Sequence, residues 1–269
     1  MDPFQIETES TFKISDWAAI EPNLVAGFTT RLGGVSPSPY NSLNLGLHVK
    51  DAYQNVMDNR RIVSQKVGIP LESWVVGEQV HGINVKVVSQ SHIGSGALDH
   101  NHSIKNIDGL ITNQQRIFCT AFFADCVPLY FFDPISRWIG IAHAGWRGTV
   151  NGMAKQMVLA LLKQNVDIHS LLVAIGPCIS KRYYEVDDNV INHIPINWKE
   201  DVTKPTKNGH SLLDLQLLNK KFLLESGVQA QNIGTTNYCT YENQELFFSH
   251  RRDNGNTGRM IGFIGFNAK

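Results

Sequence analysis

Two short segments of this chain hold the side chains best suited to chemistry: Ala124-Asp125-Cys126 and, one strand length further on, Ala142-His143-Ala144-Gly145-Trp146-Arg147-Gly148. A thiol and an imidazole each close an apolar run and each precede a turn or a glycine loop, where a rigid scaffold presents reactive groups. His81 follows the apolar run Trp74-Val75-Val76 in the same manner, within Gly77-Glu78-Gln79-Val80-His81-Gly82. Imidazole and thiolate are the usual ligands of zinc, and three protein ligands leave one coordination position for water or substrate. His81, Cys126 and His143 are therefore candidate metal ligands. They lie far apart in sequence, so the competing reading, a core cysteine and two satisfied histidines, stands beside this one.

The loop after His143 adds a second function. Gly145-Trp146-Arg147-Gly148 lies between an apolar strand and a helical pattern, where backbone N–H groups without partners and the positive end of the helix dipole favour an anion. Arg147 contributes a planar fork suited to phosphate; its plainer role would be to cap a carbonyl while Trp146 fills the core. Asp125 could orient a ligand or act as a base, or simply cap a turn. Asn44 and Arg60 could contact a sugar or phosphate, although Asn44 sits among turn formers and a helical arginine is usually solvated. Arg251 and Arg252 are expected to pair with surface acids, the His100-x-His102 pair to be exposed, and Cys178 to be structural.

The elements that must position these groups read as a mixed α/β chain. Segment 28–46 is rich in turn formers. A helix is expected from an Asp51 N-cap to Gly68, with Val56, Ile62, Val63 and Val67 on one side and Pro70 beyond it. Strands are expected over 74–80, 84–88, 109–112, 117–124, 127–132 and 138–143, the last three apolar enough to be buried on both faces. Apolar spacing by three and four predicts helices over 148–163 and 212–226, the second stopped by Gly227. Strands over 171–175, 246–249 and 260–266 complete the pattern, and the absence of a composition break makes 1–269 one domain.

Composition narrows the partners. Lys and Arg number 24 and Asp and Glu 24, so no basic footprint argues for nucleic acid. No apolar run approaches the roughly 20 residues of a membrane span, and the first residues lack secretory-signal character, so a cytoplasmic protein is expected. The four cysteines are spread singly, which in a reducing compartment fits ligands, core residues or reactive thiols better than disulfides.

Several motifs together resemble one family across nearly the whole chain. They are Thr30-Arg31-Leu32-Gly33-Gly34-Val35-Ser36, Ser42-Leu43-Asn44-Leu45-Gly46, Gln79-Val80-His81-Gly82, Ala124-Asp125-Cys126-Val127-Pro128 and the His143-Ala144-Gly145-Trp146-Arg147-Gly148 block. Ile175-Gly176-Pro177, Tyr184-Glu185-Val186, Phe247-Phe248-Ser249-His250-Arg251-Arg252-Asp253 and Thr257-Gly258-Arg259-Met260 extend the match. The family is the laccase-domain, or polyphenol-oxidase-like, group. His250 departs from it, since many relatives carry tyrosine there.

The resemblance implies a four-layer α/β/β/α sandwich with mixed sheets, and a metal, zinc or else copper, on His81, Cys126 and His143. It implies phosphorolysis of adenosine, inosine and S-methyl-5′-thioadenosine, with adenosine deamination as a further activity. Purine nucleosides and phosphate are the expected partners of a monomer or homodimer. Asp125 and Arg147 are the expected catalytic residues, and Asn44, Arg60, Gln79 and Gly145 the expected substrate contacts. The usual deaminase pattern, His-x-Glu followed by Pro-Cys-x-x-Cys, is absent from the chain. Three alternatives remain open: a copper polyphenol oxidase, which would need more histidine pairs; a hydrolase with Cys126 as nucleophile and His143 as base; and, from other relatives, a hydrolase that corrects peptidoglycan precursors.

Overall fold

A computed structural model describes residues 2–207 and 209–267. The chain opens with β1 (Phe4–Thr8), β2 (Thr11–Ile14), the short helix α1 (Ser15–Ile20) and β3 (Leu24–Thr29). A long loop leads to α2 (Tyr53–Val67), β4 (Trp74–Val76) and β5 (Val85–Val87), then to β6 (Gly109–Thr112), β7 (Phe118–Phe123), β8 (Val127–Phe132) and β9 (Ile139–Ala144). After α3 (Trp146–Val150), α4 (Met153–Leu162) and β10 (Leu172–Ile175) come β11 (Glu185–Asp187), α5 (Asp188–Ile191), α6 (Lys199–Val202) and β12 (Thr203–Pro205). The last elements are β13 (His210–Leu213), α7 (Leu215–Glu225), β14 (Ile233–Thr235) and β15 (Met260–Phe266).

Two six-stranded mixed sheets dominate, ordered β1-β2-β3-β15-β7-β4 and β14-β10-β8-β9-β6-β5, with a small third sheet β11-β13-β12. Side chains alternate across each strand, so the all-apolar strands supply two cores at once. From β8, Tyr130 and Phe132 join Phe123, Ile141 and Ile264 between the large sheets. Leu129 and Phe131 of the same strand pack instead with Met157 and Leu161 of α4 and with Leu218 and Phe222 of α7. On the other large sheet, Phe118 and Phe122 of β7 pack against Met57 and Val63 of α2. Each fully buried side chain of this size stabilises by about 1.5–3 kcal/mol.

The boundaries depart from the sequence pattern where polar groups decide them. Asp51 does not cap α2; its carboxylate takes Ser36 Oγ, Asn44 Nδ2 and the Ala52 amide, while Gly68 at φ 69° closes the helix as expected. The helix expected over 148–163 is two helices, because Gly152 at φ 88° turns the chain between α3 and α4. The helix expected over 212–226 begins only after Asp214, whose side chain accepts the Leu217 amide and divides β13 from α7. Segment 246–249 is not a strand, and β1–β3, which form one end of the first sheet, lie where the pattern reads as polar or loop. No helix among the described residues is long and apolar enough to cross a membrane.

What matters for chemistry is how four strand ends coincide. Antiparallel β9 lies between β6 and β8, and β5 pairs parallel with β6; Gly109 sits opposite both Ala142 and Val85, and Val127 opposite Ala144. The starts of β5, β6 and β8 thus meet the end of β9. Residues just outside or at those ends, His81, Asp108, Cys126 and His143, come together.

Candidate metal centre

His81, Cys126 and His143 offer three ligand atoms that all lie within 4.8 Å of one another. Cys126 Sγ is 4.0 Å from His81 Nε2, a spacing close to that of donors sharing one ion at about 2.0–2.3 Å. The donor chemistry and its convergence fit a transition metal. Two of the loops that deliver it carry unusual backbone, with His81 at φ 59° and Asp125 at φ 85°, a region non-glycine residues enter at a cost and keep where the surroundings over-determine them.

The group that over-determines the His81 loop is Asp108, which sequence reasoning missed. Its carboxylate accepts the backbone N–H of Val80, His81 and Gly82 at 3.1, 3.1 and 2.8 Å. It also lies 2.9 Å from His143 Nδ1. With Nδ1–H committed to a carboxylate, His143 Nε2 carries the lone pair toward the site, the usual outer-shell arrangement for a metal-binding histidine. Asp108 therefore fixes one ligand through its ring and another through its backbone. Its only sequence signal is an aspartate before a glycine at a strand start, which reads as turn chemistry.

Charge is balanced within the cluster. Burial alone would raise the Cys126 thiol, but His143 and then His81 outweigh it and bring the thiol down to about 6. Burial likewise opposes a charge on His143, yet Cys126 and Asp108 lift its imidazole to about 9. Gly145 leaves room for this contact: a Cβ there would meet His81 Cδ2 at 2.8 Å and Cys126 Sγ at 3.0 Å.

The cluster opens into a cavity of about 540 Å³, within the range of small-molecule sites. Arg147 lines it, stacked 4.5 Å from the centroid of the Trp146 ring, and its guanidinium has no hydrogen-bond or ion-pair partner among the described residues. The carbonyl-capping role is thus not what Arg147 does. Helix α3 spans only five residues, so the arginine, rather than a helix dipole, is the candidate anion-binding feature of this loop. Arg251 also lines the cavity, over the Tyr184 ring, and donates to the Glu185 carbonyl. Arg252 faces elsewhere and braces the loop, paired with Asp253 and donating to the carbonyls of Thr240, Tyr241 and Phe247.

Other expected site residues have different duties. Asp125 touches the cavity, but its carboxylate is buried and takes Thr240 Oγ1, Ser249 Oγ and the Arg251 amide. It ties two loops to the neighbouring cysteine, and the ligand-orienting role falls to Asp108. Gln79 lines the cavity while its amide is spent on both backbone groups of Phe122. Asn44 is fully buried, accepting from Gly46 and Arg259 amides and donating to Asp51. Arg60 is also buried and donates to the carbonyls of Leu45, Gly96 and Ala97, beneath the Phe122 ring. Neither reaches the cavity; both support its wall. His100 does line it, unlike exposed His102, which pairs with Asp99. Cys178 is buried beside Cys239. His48, Tyr184 and Arg259 also line the cavity; Tyr184 and Arg259 fall inside recognisable motifs, and His48 had no signal.

Residues 25–267 match the family model described as multi-copper polyphenol oxidoreductase laccase, and the chain belongs to that family. It is 40% identical to a purine nucleoside phosphorylase, YlmD, of Bacillus subtilis over 98% of this chain and 97% of that protein. It is 43% identical to the purine nucleoside phosphorylase YlmD of Geobacillus stearothermophilus, covering 90% of this chain and 89% of the relative. Its structure superposes on the crystal structure of a hypothetical protein, YfiH, of Bacillus licheniformis with a TM-score of 0.95, 38% identity, and coverage of 99% and 100%.

Proposed function

We propose that this protein is a metal-dependent purine nucleoside phosphorylase that holds zinc on His81, Cys126 and His143. The observation that carries this reading is the convergence in one cavity of a His/Cys/His donor set and an arginine, Arg147, with no hydrogen-bond or ion-pair partner among the described residues. The names of the full-length relatives support the same reaction class. Zinc is favoured over copper because a blue-copper site adds a weak axial ligand, commonly methionine, and no methionine is among the described residues lining the cavity. Among the described residues there is one such three-ligand group, against the several sites of a multi-copper oxidase.

In phosphorolysis an oxygen of phosphate bonds to C1′ of the ribose as the C1′–N bond breaks, its electron pair leaving on the base. When bound, zinc would supply a Lewis acid beside the reacting atoms. Arg147 holds and orients the phosphate, and its charge acts in a partly enclosed cavity rather than in bulk water. Arg251 adds a second cation on the same side, and Tyr184, whose hydroxyl burial pushes well above its usual range, stays protonated next to it. Asp108 keeps His143 in the tautomer that binds metal. Adenosine, inosine and S-methyl-5′-thioadenosine are the proposed substrates, with adenosine deamination as a secondary activity of the same cavity.

A second reading, hydrolysis with Cys126 as nucleophile, is favoured by the thiolate–imidazolium character of Cys126 and His143. Incubating the zinc-loaded and the chelated protein with adenosine, with and without phosphate, separates these readings. Adenine and ribose 1-phosphate formed only with phosphate and only by the metallated protein support phosphorolysis. Phosphate-independent turnover by the metal-free protein would replace it with the cysteine mechanism, and inosine formed alone would put deamination first.

A further inference from the structure

The cavity lining is not uniform. One part holds Arg147 and Arg251 with Trp146 and Tyr184. Another holds three flat rings: His48, with its centroid 5.5 Å from that of His100 and 5.4 Å from that of Phe122. Arg259 lies beside His48, but its guanidinium donates to the carbonyls of Thr257 and Gly258. Resting on the phosphorylase reading above, we propose that this second lobe is the nucleobase subsite, with the base stacked against the exposed His48 ring, which the buried Phe122 supports, and the phosphate confined to the arginine lobe.

The lobe is built for a planar heteroaromatic group. Phe122 is held rigidly: Gln79 engages both its N–H and its carbonyl, and the buried Arg60 guanidinium lies 5.1 Å behind its ring. His48 is exposed to the cavity, and neither of its ring nitrogens has a hydrogen-bond partner among the described residues. Desolvation by the surrounding cavity walls, and then the nearby Arg259, lower its imidazole to about 3, so at neutral pH one nitrogen can donate and the other accept against the edge of a base. Gly46 makes this possible, since a Cβ there would meet Arg259 Cγ at 2.8 Å and His48 Cε1 at 3.2 Å. A site whose walls are already fixed loses less to ordering when the ligand binds. The arginine lobe offers the opposite chemistry, the unpartnered Arg147 fork and the Tyr184 hydroxyl.

The test compares wild type with His48→Ala, His48→Phe and Arg147→Met, each as the zinc-loaded full chain. Adenosine and phosphate are varied separately in turnover, and free adenine binding is measured by titration calorimetry. His48→Ala should weaken adenine binding and raise the adenosine KM by roughly five- to 150-fold, the range that loss of one stacked base represents, with the phosphate KM unchanged. His48→Phe should recover most of that loss, and Arg147→Met should raise the phosphate KM alone. The inference is overturned if His48→Ala binds adenine like wild type, if wild type binds no adenine, or if His48→Ala raises the phosphate KM instead. Absence of phosphate-dependent turnover in wild type would refute the phosphorylase reading, while adenine calorimetry would still decide the lobe.

Discussion

Replacing Asp108 by asparagine tests whether the metal centre is set by the carboxylate behind it. The Asp108 side chain is buried and takes four N–H donors, one from His143 and three from successive backbone amides of the His81 loop. Burial works against its charge, but the hydrogen bond and charge of His143, with the Gly82 and Val80 amides, hold its carboxyl below the usual range. An amide keeps the volume, yet it has a single accepting oxygen, and its NH₂ group would face donors. Loss of an outer-shell carboxylate typically weakens metal binding 10–100-fold, equivalent to about 1.4–2.8 kcal/mol. The charge-assisted hydrogen bond to His143 is worth about 1.5–3 kcal/mol more to the fold. Competition against a chromophoric chelator should therefore show a zinc Kd raised 10–100-fold, and thermal unfolding in chelator should show a lower Tm. A folded variant with wild-type zinc affinity would refute the idea that Asp108 orients the ligands.

Gly145→Ala should lower zinc affinity with little change in global stability, because φ there is −69° and the added methyl strikes only His81 and Cys126; zinc titration of the variant beside its unfolding curve checks this. Arg60→Met should cost on the order of 3 kcal/mol or more in denaturant unfolding, since three buried carbonyls lose their donor; a stable variant with a selectively raised nucleoside KM would restore Arg60 as a substrate contact. Asp133 accepts from Ser136, Ser170 and the Ile135 amide, and although burial acts to raise its carboxyl, these hydrogen bonds hold it below the usual 3.8. Its stabilising contribution is complete above about pH 3.8 and is lost as pH falls through the lower folded value, so Asp133→Asn should flatten the acid limb of stability against pH. An unchanged acid limb would show that Asp133 is not linked to folding.

The strands 109–112, 127–132 and 260–266 were legible to the residue because uninterrupted apolar, β-branched and aromatic runs leave few other structures open to them. The N-terminal strands were not, because β1 is an edge strand with only one fully buried residue, Phe4, and β3 gains its inner partner, β15, from the far end of the sequence. Helix ends failed where one side chain or one glycine decided them, as at Asp214 and Gly152. In the site, His81, Cys126 and His143 could be proposed from residue type and position after apolar runs. Asp108, His48 and the true duties of Asp125, Asn44 and Arg60 could not, since each depends on which groups of distant segments the fold brings together.

By itself the sequence determined the alternation of strands and helices, the two segments that carry a thiol and an imidazole, and the second imidazole, His81, that makes a candidate ligand set with them. It also set a neutral charge balance, with 24 Lys and Arg against 24 Asp and Glu. Only the tertiary structure decided that three donor side chains from different segments share one sheet end, that a buried carboxylate fixes two of them, and that the Arg147 guanidinium has no hydrogen-bond or ion-pair partner among the described residues. The physical reason is range: apolar periodicity is a local property that the chain carries wherever it folds, whereas ligand spacing and the satisfaction of a buried charge exist only once distant strands are in register.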